Sequence, residues 1–414
     1  VSPSAIPFNI GNTAFMLICA SLVMLMTPGL AFFYGGLVAR KNVLTIMIQS
    51  FMSLGWTTVI WFAFGYSECF GPDWHGLIGD PTHYAFLKGI TLHTMFTGND
   101  AGIPLLVHVA YQMMFAIITP ALITGAFANR VTFKAYFLFL TGWLVFVYFP
   151  FVHMLWSPNG ILAKWGALDF AGGIVVHASA GFAALASVLY IGKRSVVENK
   201  PHNVPLIALG TGLLWFGWYG FNAGSELRVD PVTASAFLNT DLAASFAAVT
   251  WLLVEWARGR QPKFVGLLTG AVAGLATITP AAGYVSPTTA VIIGVLSGVI
   301  CYYAVALKNQ QGWDDALDVW GVHGVGGFLG ITLLGVFAST AWNPNGADGL
   351  LRGGVAFFGK QVAAATVCSL WAFVFTYGML WLISKITQTK VDPQAEERGL
   401  DMELHGEEAY PLGV

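Results

Sequence analysis

Mostly apolar runs of about twenty residues recur along this 414-residue chain, and they constrain it more than any motif. A bilayer's hydrocarbon core is about 30 Å thick and an α-helix rises about 1.5 Å per residue, so such a run is what a spanning helix needs. Charged residues make up only 10 % of the chain, against roughly 25 % in an ordinary soluble domain. A transmembrane barrel would show alternating segments of about ten residues instead. The fold class is therefore an all-α polytopic membrane protein, and the lipid bilayer is its first partner. The net charge of −2 gives no reason to expect a nucleic acid. Cys19, Cys69, Cys301 and Cys368 are isolated, so neither a disulfide framework nor a zinc site is readable. A start at Val1 rather than Met fits a removed signal peptide or a trimmed terminus.

Eleven transmembrane helices are predicted, at about 12–37, 43–66, 103–128, 133–153, 170–192, 204–225, 233–257, 264–283, 287–307, 319–340 and 355–386. The longest loop, 67–102, reads as a partly ordered extramembrane cap. When alternate loops are assigned to one side, fourteen of the nineteen Lys and Arg residues fall together, Arg40, Lys193, Arg258 and Lys385 among them. The positive-inside rule makes that side cytoplasmic, with the N-terminus outside and the C-terminus inside. Residues 1–388 form the membrane domain and 389–414 a polar cytoplasmic tail. Eleven divides as five plus five plus one. A five-helix half ends on the side opposite its start, so the two halves run in opposite senses, as in inverted-repeat transporters whose sites lie near the midplane.

Each half carries a buried imidazole. "ALDFAGGIVVHASAG" (167–181) sets Asp169 eight residues before His177, and "DVWGVHGVGG" (318–327) sets Asp318 five residues before His323. Helices entering from opposite sides bring both histidines near mid-membrane. A lone histidine there is readily explained by a local backbone partner. Two at corresponding depths point to a pathway, because ionisable groups in a membrane are costly. Asp169 and Asp318 each sit where a carboxylate caps a helix N-terminus, and Asp169 is also a candidate for organising a pore. A zinc enzyme built on the histidines lacks the usual third ligand, so neither metal nor cofactor is expected.

Aromatic and hydroxyl groups gather at the outer ends of three spans: Tyr111, Gln112 and Phe115 in "YQMMFAIITPALITGAF", Trp156 in "HMLWSPNG", and Trp218, Phe221, Asn222 and Ser225 in "WFGWYGFNAGS". Aromatic faces and a hydroxyl acceptor suit a small hydrogen-bonding cation. An interfacial aromatic belt is the alternative, and it suits Trp156 better than Phe115, which lies deep in its span.

With these stretches, "TPGLAFFYGGLVARKNVL", "ITGAFANR", "ITPAAGYVSP" and the tail "ERGLDMELHGEEAY" complete an ordered set over nearly the whole chain. The chain resembles the ammonium transporter family (Amt/Mep/Rh), and within it the Amt branch. The resemblance implies a cell-membrane homotrimer with a pore through each subunit. It further implies an ammonium transporter or channel, not an enzyme, for which methylammonium serves as an analogue. Under it, Tyr111, Phe115, Trp156 and Ser225 match the outer recruitment site, and Phe115 and Phe221 the stacked gate. His177 and His323 match the pore-lining twin histidines, Trp218 a pore-lining tryptophan, and Asp169 the acid needed for conduction. An ammonium sensor on the same fold is the alternative; keeping both histidines and Asp169 favours conduction. The tail reads either as a disordered segment or, under the resemblance, as an ordered one beneath a neighbouring subunit. A cytoplasmic regulator of the PII type is a partner class the resemblance brings with it. Asp241, Trp313 and the pair Asp314 and Asp315 acquire no role from the sequence.

Overall fold

The computed structural model describes residues 7–197 and 200–410, so the last four residues of the tail lie outside it. Its helices in chain order are α1 (Ile10–Leu37), α2 (Arg40–Phe70), α3 (Leu105–Ile123), α4 (Phe133–Trp165), α5 (Gly173–Ile191) and α6 (Val204–Glu226). The second half continues with α7 (Pro231–Ala257), α8 (Phe264–Ile278), α9 (Pro287–Gln310), α10 (Trp320–Phe337) and α11 (Val355–Ile386). Ten of these are long and apolar enough to cross a membrane, and α8 is a shorter apolar helix. At 15 residues α8 reaches only about 22 Å. The sequence expectation carried it to 283; the helix stops at Ile278, and the chain continues as turns in which Ala281 N donates to Ile278 O and Tyr284 N to Ala281 O, both at 2.8 Å.

The early stop of α8 has a counterpart. The third helix ends at Ile123 rather than 128, where the Thr124 hydroxyl donates to the Ala121 carbonyl and the Tyr34 hydroxyl to that of Leu122. The turn after α8 meets the approach to α5, with Phe170 N donating to Pro280 O at 3.2 Å. The turn after α3 meets the approach to α10, with Ala316 N and Ala126 O 3.5 Å apart. Helices three and eight thus make way for the starts of ten and five. That reciprocity is the packing signature of opposed halves.

Helices α5 and α10 cross antiparallel at their smallest residues. A methyl group on Gly181 would overlap the Gly324 backbone, and one on Gly327 would press on Ala178 N and the Gly173 carbonyl. The close approach lets the two backbones carry side chains into one shared space. Both helices open with a π-helical turn, Gly173–Ala178 and Trp320–Gly324, and each turn contains its histidine. Such turns recur at functional sites because the wider winding re-aims side chains.

The tail is ordered as far as it is described. It leaves α11 alongside Thr132, whose backbone N donates to Thr389 O, and forms a short helix, α12 (Pro393–Arg398). Asp401 then caps α2, accepting from Leu44 N (2.9 Å), Thr45 N (2.7 Å) and the Thr45 hydroxyl (2.8 Å). Glu396 accepts from Ser195 N at 2.6 Å, and Arg40 lies over the Tyr410 ring. These partners belong to the same chain. Asp241, without a role in the sequence, accepts from the Tyr219 hydroxyl (2.8 Å) and from Trp215 Nε1 (3.2 Å) on α6.

Candidate conduction path

Two cavities enter the bundle from opposite ends. One, of about 690 Å³, lies under the 67–102 cap and reaches Gln112, Phe115, Trp156, Asp169, Ser225 and Glu226. The other, of about 750 Å³, opens at the tail end and reaches His323. Phe115 and Phe221 separate them, with ring centroids 4.1 Å apart and planes at 27°. Both rings are almost wholly buried.

Above that seal, Trp156 meets Phe115 edge-on at 5.7 Å and is itself anchored by its Nε1 donating to Asp169 O at 2.9 Å. Ser225 reaches the same cavity and its hydroxyl donates to Phe221 O at 2.9 Å. Rings and a hydroxyl oxygen therefore converge on one space. Tyr111 does not line it. Its hydroxyl lies 2.9 Å from the Gly220 and Phe221 carbonyls and 3.3 Å from Ser225 Oγ, so it holds the end of α6 from behind. Gln112 does line it, and its buried Oε1 has no hydrogen-bond partner.

Below the seal, His177 lies 6.0 Å from Phe221 and stacks on Trp218 at 5.4 Å. Trp218 is fixed in turn by its Nε1 donating to the Thr279 hydroxyl at 2.9 Å. The two histidines are joined Nδ1 to Nδ1 at 3.2 Å, with ring planes 17° apart. One Nδ1 must carry the proton and the other accept it, so protonation at the two Nε2 atoms is reciprocal. His177 Nε2 is buried without a partner, and so remains open to a molecule in the path.

The carboxylates that set up the two π turns are Asp169 and Asp315. Asp169 Oδ1 accepts from Gly172 N (2.9 Å) and Gly173 N (2.6 Å), and Oδ2 from Ile174 N (2.8 Å) and Val175 N (3.2 Å). Gly172 holds a φ of +116°, which favours glycine. At α10, Asp315 accepts from Val319 N (3.1 Å) and Trp320 N (2.8 Å). The capping role expected of Asp318 therefore belongs to Asp315, which stands eight residues before His323 as Asp169 does before His177. Asp318 has a positive φ of 61° and pairs with Lys308 Nζ at 2.6 Å. Burial pushes the Asp315 carboxyl up to about 6. Burial also raises Asp314, but hydrogen bonds from Arg194 and the charges of Arg130 and Arg194 overcome it and hold that carboxyl at about 2.

Comparison with known proteins supplies what geometry alone does not. The model of the Ammonium Transporter Family matches residues 14–410. The chain belongs to that family. It is 43 % identical to an ammonium transporter of Bacillus subtilis, over 97 % of this chain and 99 % of the relative. The crystal structure of Candida albicans Mep2 superposes with a TM-score of 0.86 at 37 % identity, covering 92 % of this chain and 85 % of that one. A structure described as a sensor Amt protein reaches 0.87 at 30 % identity, covering 95 % and 98 %. With its ten membrane-length helices, this member of the family is a multi-pass cell-membrane protein.

Proposed function

We propose that the chain takes up ammonium, recruiting the cation between Phe115, Trp156 and Ser225 and passing ammonia beyond the phenylalanine seal to the histidines. The observation that carries this reading is the Nδ1–Nδ1 contact at 3.2 Å, lying between two cavities that two stacked rings keep apart. A bare ion entering that dry stretch loses its hydration at great cost, whereas neutral ammonia does not. Recruitment therefore ends in deprotonation, and the paired imidazoles offer the proton a hydrogen-bonded way onward. Their reciprocal tautomers make them a relay rather than a pair of plugs. By the positive-inside rule the cavity at Trp156 is outer and the tail end cytoplasmic. The protein acts as a homotrimer with one path per subunit, and the cytoplasmic face around the tail is where a regulator of the PII type would dock.

Current and uptake measured together on reconstituted wild type, His177→Ala and His323→Ala test the relay. The mutants are expected to lose ammonium-dependent current or to change which ions pass; current, uptake and selectivity all unchanged would make the pair structural. The likeness to the sensor protein favours one second reading, an ammonium sensor. The same liposomes decide it, since a sensor binds ammonium without steady flux.

A further inference from the structure

Glu226 directly follows Ser225 at the end of α6 and lines the outer cavity, yet it is only 6 % exposed. Its Oε1 lies 3.2 Å from Arg228 Nη2, and Arg228 Nε donates to Asp230 Oδ2 at 2.8 Å. One guanidinium is thus shared between two acids, so the trio holds one more acidic than basic group. Arg228 Nη1 donates to Asn99 O on the cap, and Asp230 Oδ1 accepts from Val232 N and Thr233 N at the start of α7, so the trio is held from three directions. Among the described residues lining this cavity there is no Lys or Arg. A second observation points to a ligand: the buried, unpartnered Oε1 of Gln112 lines the same space.

We propose that Glu226 is a specificity-determining residue for loading, the counter-charge that draws a small monovalent hydrogen-bonding cation to the space between Gln112, Trp156 and Ser225. The proposal rests on the uptake reading above. A low-dielectric wall concentrates the field of such a charge in the cleft it lines. Arg228 opposes it and sets its strength, so the two residues act with opposite sign on the same ligand.

The test is methylammonium uptake by the full-length protein in liposomes, read as the half-saturating concentration. Glu226→Gln is expected to raise it on the order of threefold to tenfold, as loss of one nearby charge at an intermediate dielectric predicts. Arg228→Gln, which leaves both carboxylates unopposed, is expected to lower it. A structural ion pair would make both variants fail alike, so movement in the same direction, or none in either, overturns the proposal. If Glu226→Gln does not assemble, Arg228→Gln alone still decides, because only a field effect improves loading. Replacement of Trp156 and Ser225 separates the two ideas. If that double variant shifts the curve and the charge variants do not, the inference falls and the uptake reading stands. If the double variant also leaves it unmoved, the aromatic recruitment site falls with it.

Discussion

The two cavities on either side of the phenylalanine pair have similar volumes and different chemistry. The outer one is walled by aromatic rings, with Asp169 and Glu226 as its carboxylates and no Lys or Arg among its described lining residues. The cytoplasmic one has Lys193, Arg194, Lys263 and Lys308 facing Asp314, Asp315 and Asp318. Some of these charges are paired: Arg130 and Arg194 hold Asp314 at 2.6 and 2.7 Å, and Lys308 holds Asp318 at 2.6 Å. A cation entering past Trp156 meets π faces and acidic side chains with no Lys or Arg among the described lining residues. One entering at the tail end passes Lys193, Arg194, Lys263 and Lys308 in the cavity wall. Between them each of α5 and α10 opens with a π turn that holds a histidine, so under the uptake reading a directional preference is set at the mouths.

The largest expected effect compares the two capping aspartates. Asp169 satisfies four backbone donors in the wall of the outer cavity, whereas Asp315 satisfies two at the other end. An orphaned buried donor costs about 1 kcal/mol or more. Asp169→Ala should therefore lower methylammonium uptake by on the order of a hundredfold or more, and Asp315→Ala by roughly tenfold, with two donors freed instead of four. Initial rates per amount of reconstituted protein measure both. Equal losses would mean that the two π turns contribute alike and that the mouths do not explain the asymmetry.

A smaller effect sharpens the account of the outer mouth. Replacing Trp156 with Leu and Ser225 with Ala removes a ring face and a hydroxyl from the cation's space. Half-saturation should rise roughly tenfold, in line with about 1–2 kcal/mol for a desolvated cation–π contact. An unchanged curve would leave both residues as belt and packing. Because the double variant does not touch the histidine pair, ammonium-dependent current at saturating concentration should persist.

Much of this could be read from the chain, and the misses have physical causes. Span length and hydropathy located the ten membrane-length helices and the shorter α8 among the described residues, because lipid forces backbone pairing into local helices. They overran α3 and α8, whose ends are set by where a helix of the other half begins. The histidines were legible as a pair because matched depth in opposed helices is a sequence property. Asp318 drew attention as the acid nearest His323, although the eight-residue spacing shared by Asp169–His177 and Asp315–His323 already pointed to Asp315. Tyr111 lies among cavity residues in sequence, but its hydroxyl turns to carbonyls on α6. Glu226 stood beside Ser225 unremarked, since nothing local shows that an acid one residue past a binding serine faces the same space. The order of the tail was least accessible of all. Asp401 caps a helix through Thr45, 356 residues before it, and no local pattern announces such a partner.

That cap gives the smallest expected effect and tests whether the tail end is independent of the outer mouth. Asp401→Ala removes a carboxylate that accepts from two backbone donors at the start of α2 and from the Thr45 hydroxyl. Loss of an N-cap of this kind costs about 1 kcal/mol. In a protein of this size that corresponds to a fall of about 1–3 °C in thermal midpoint, readable by melting the detergent-solubilised protein. Half-saturation for methylammonium should stay within about twofold of wild type, because roughly 30 Å of hydrocarbon-spanning bundle separates the cap from Trp156. A melting shift with unmoved half-saturation keeps the two ends separate. A shift in half-saturation as large as that of the Trp156 and Ser225 double variant would show that the tail sets the outer site, and the two mouths could no longer be treated as independent.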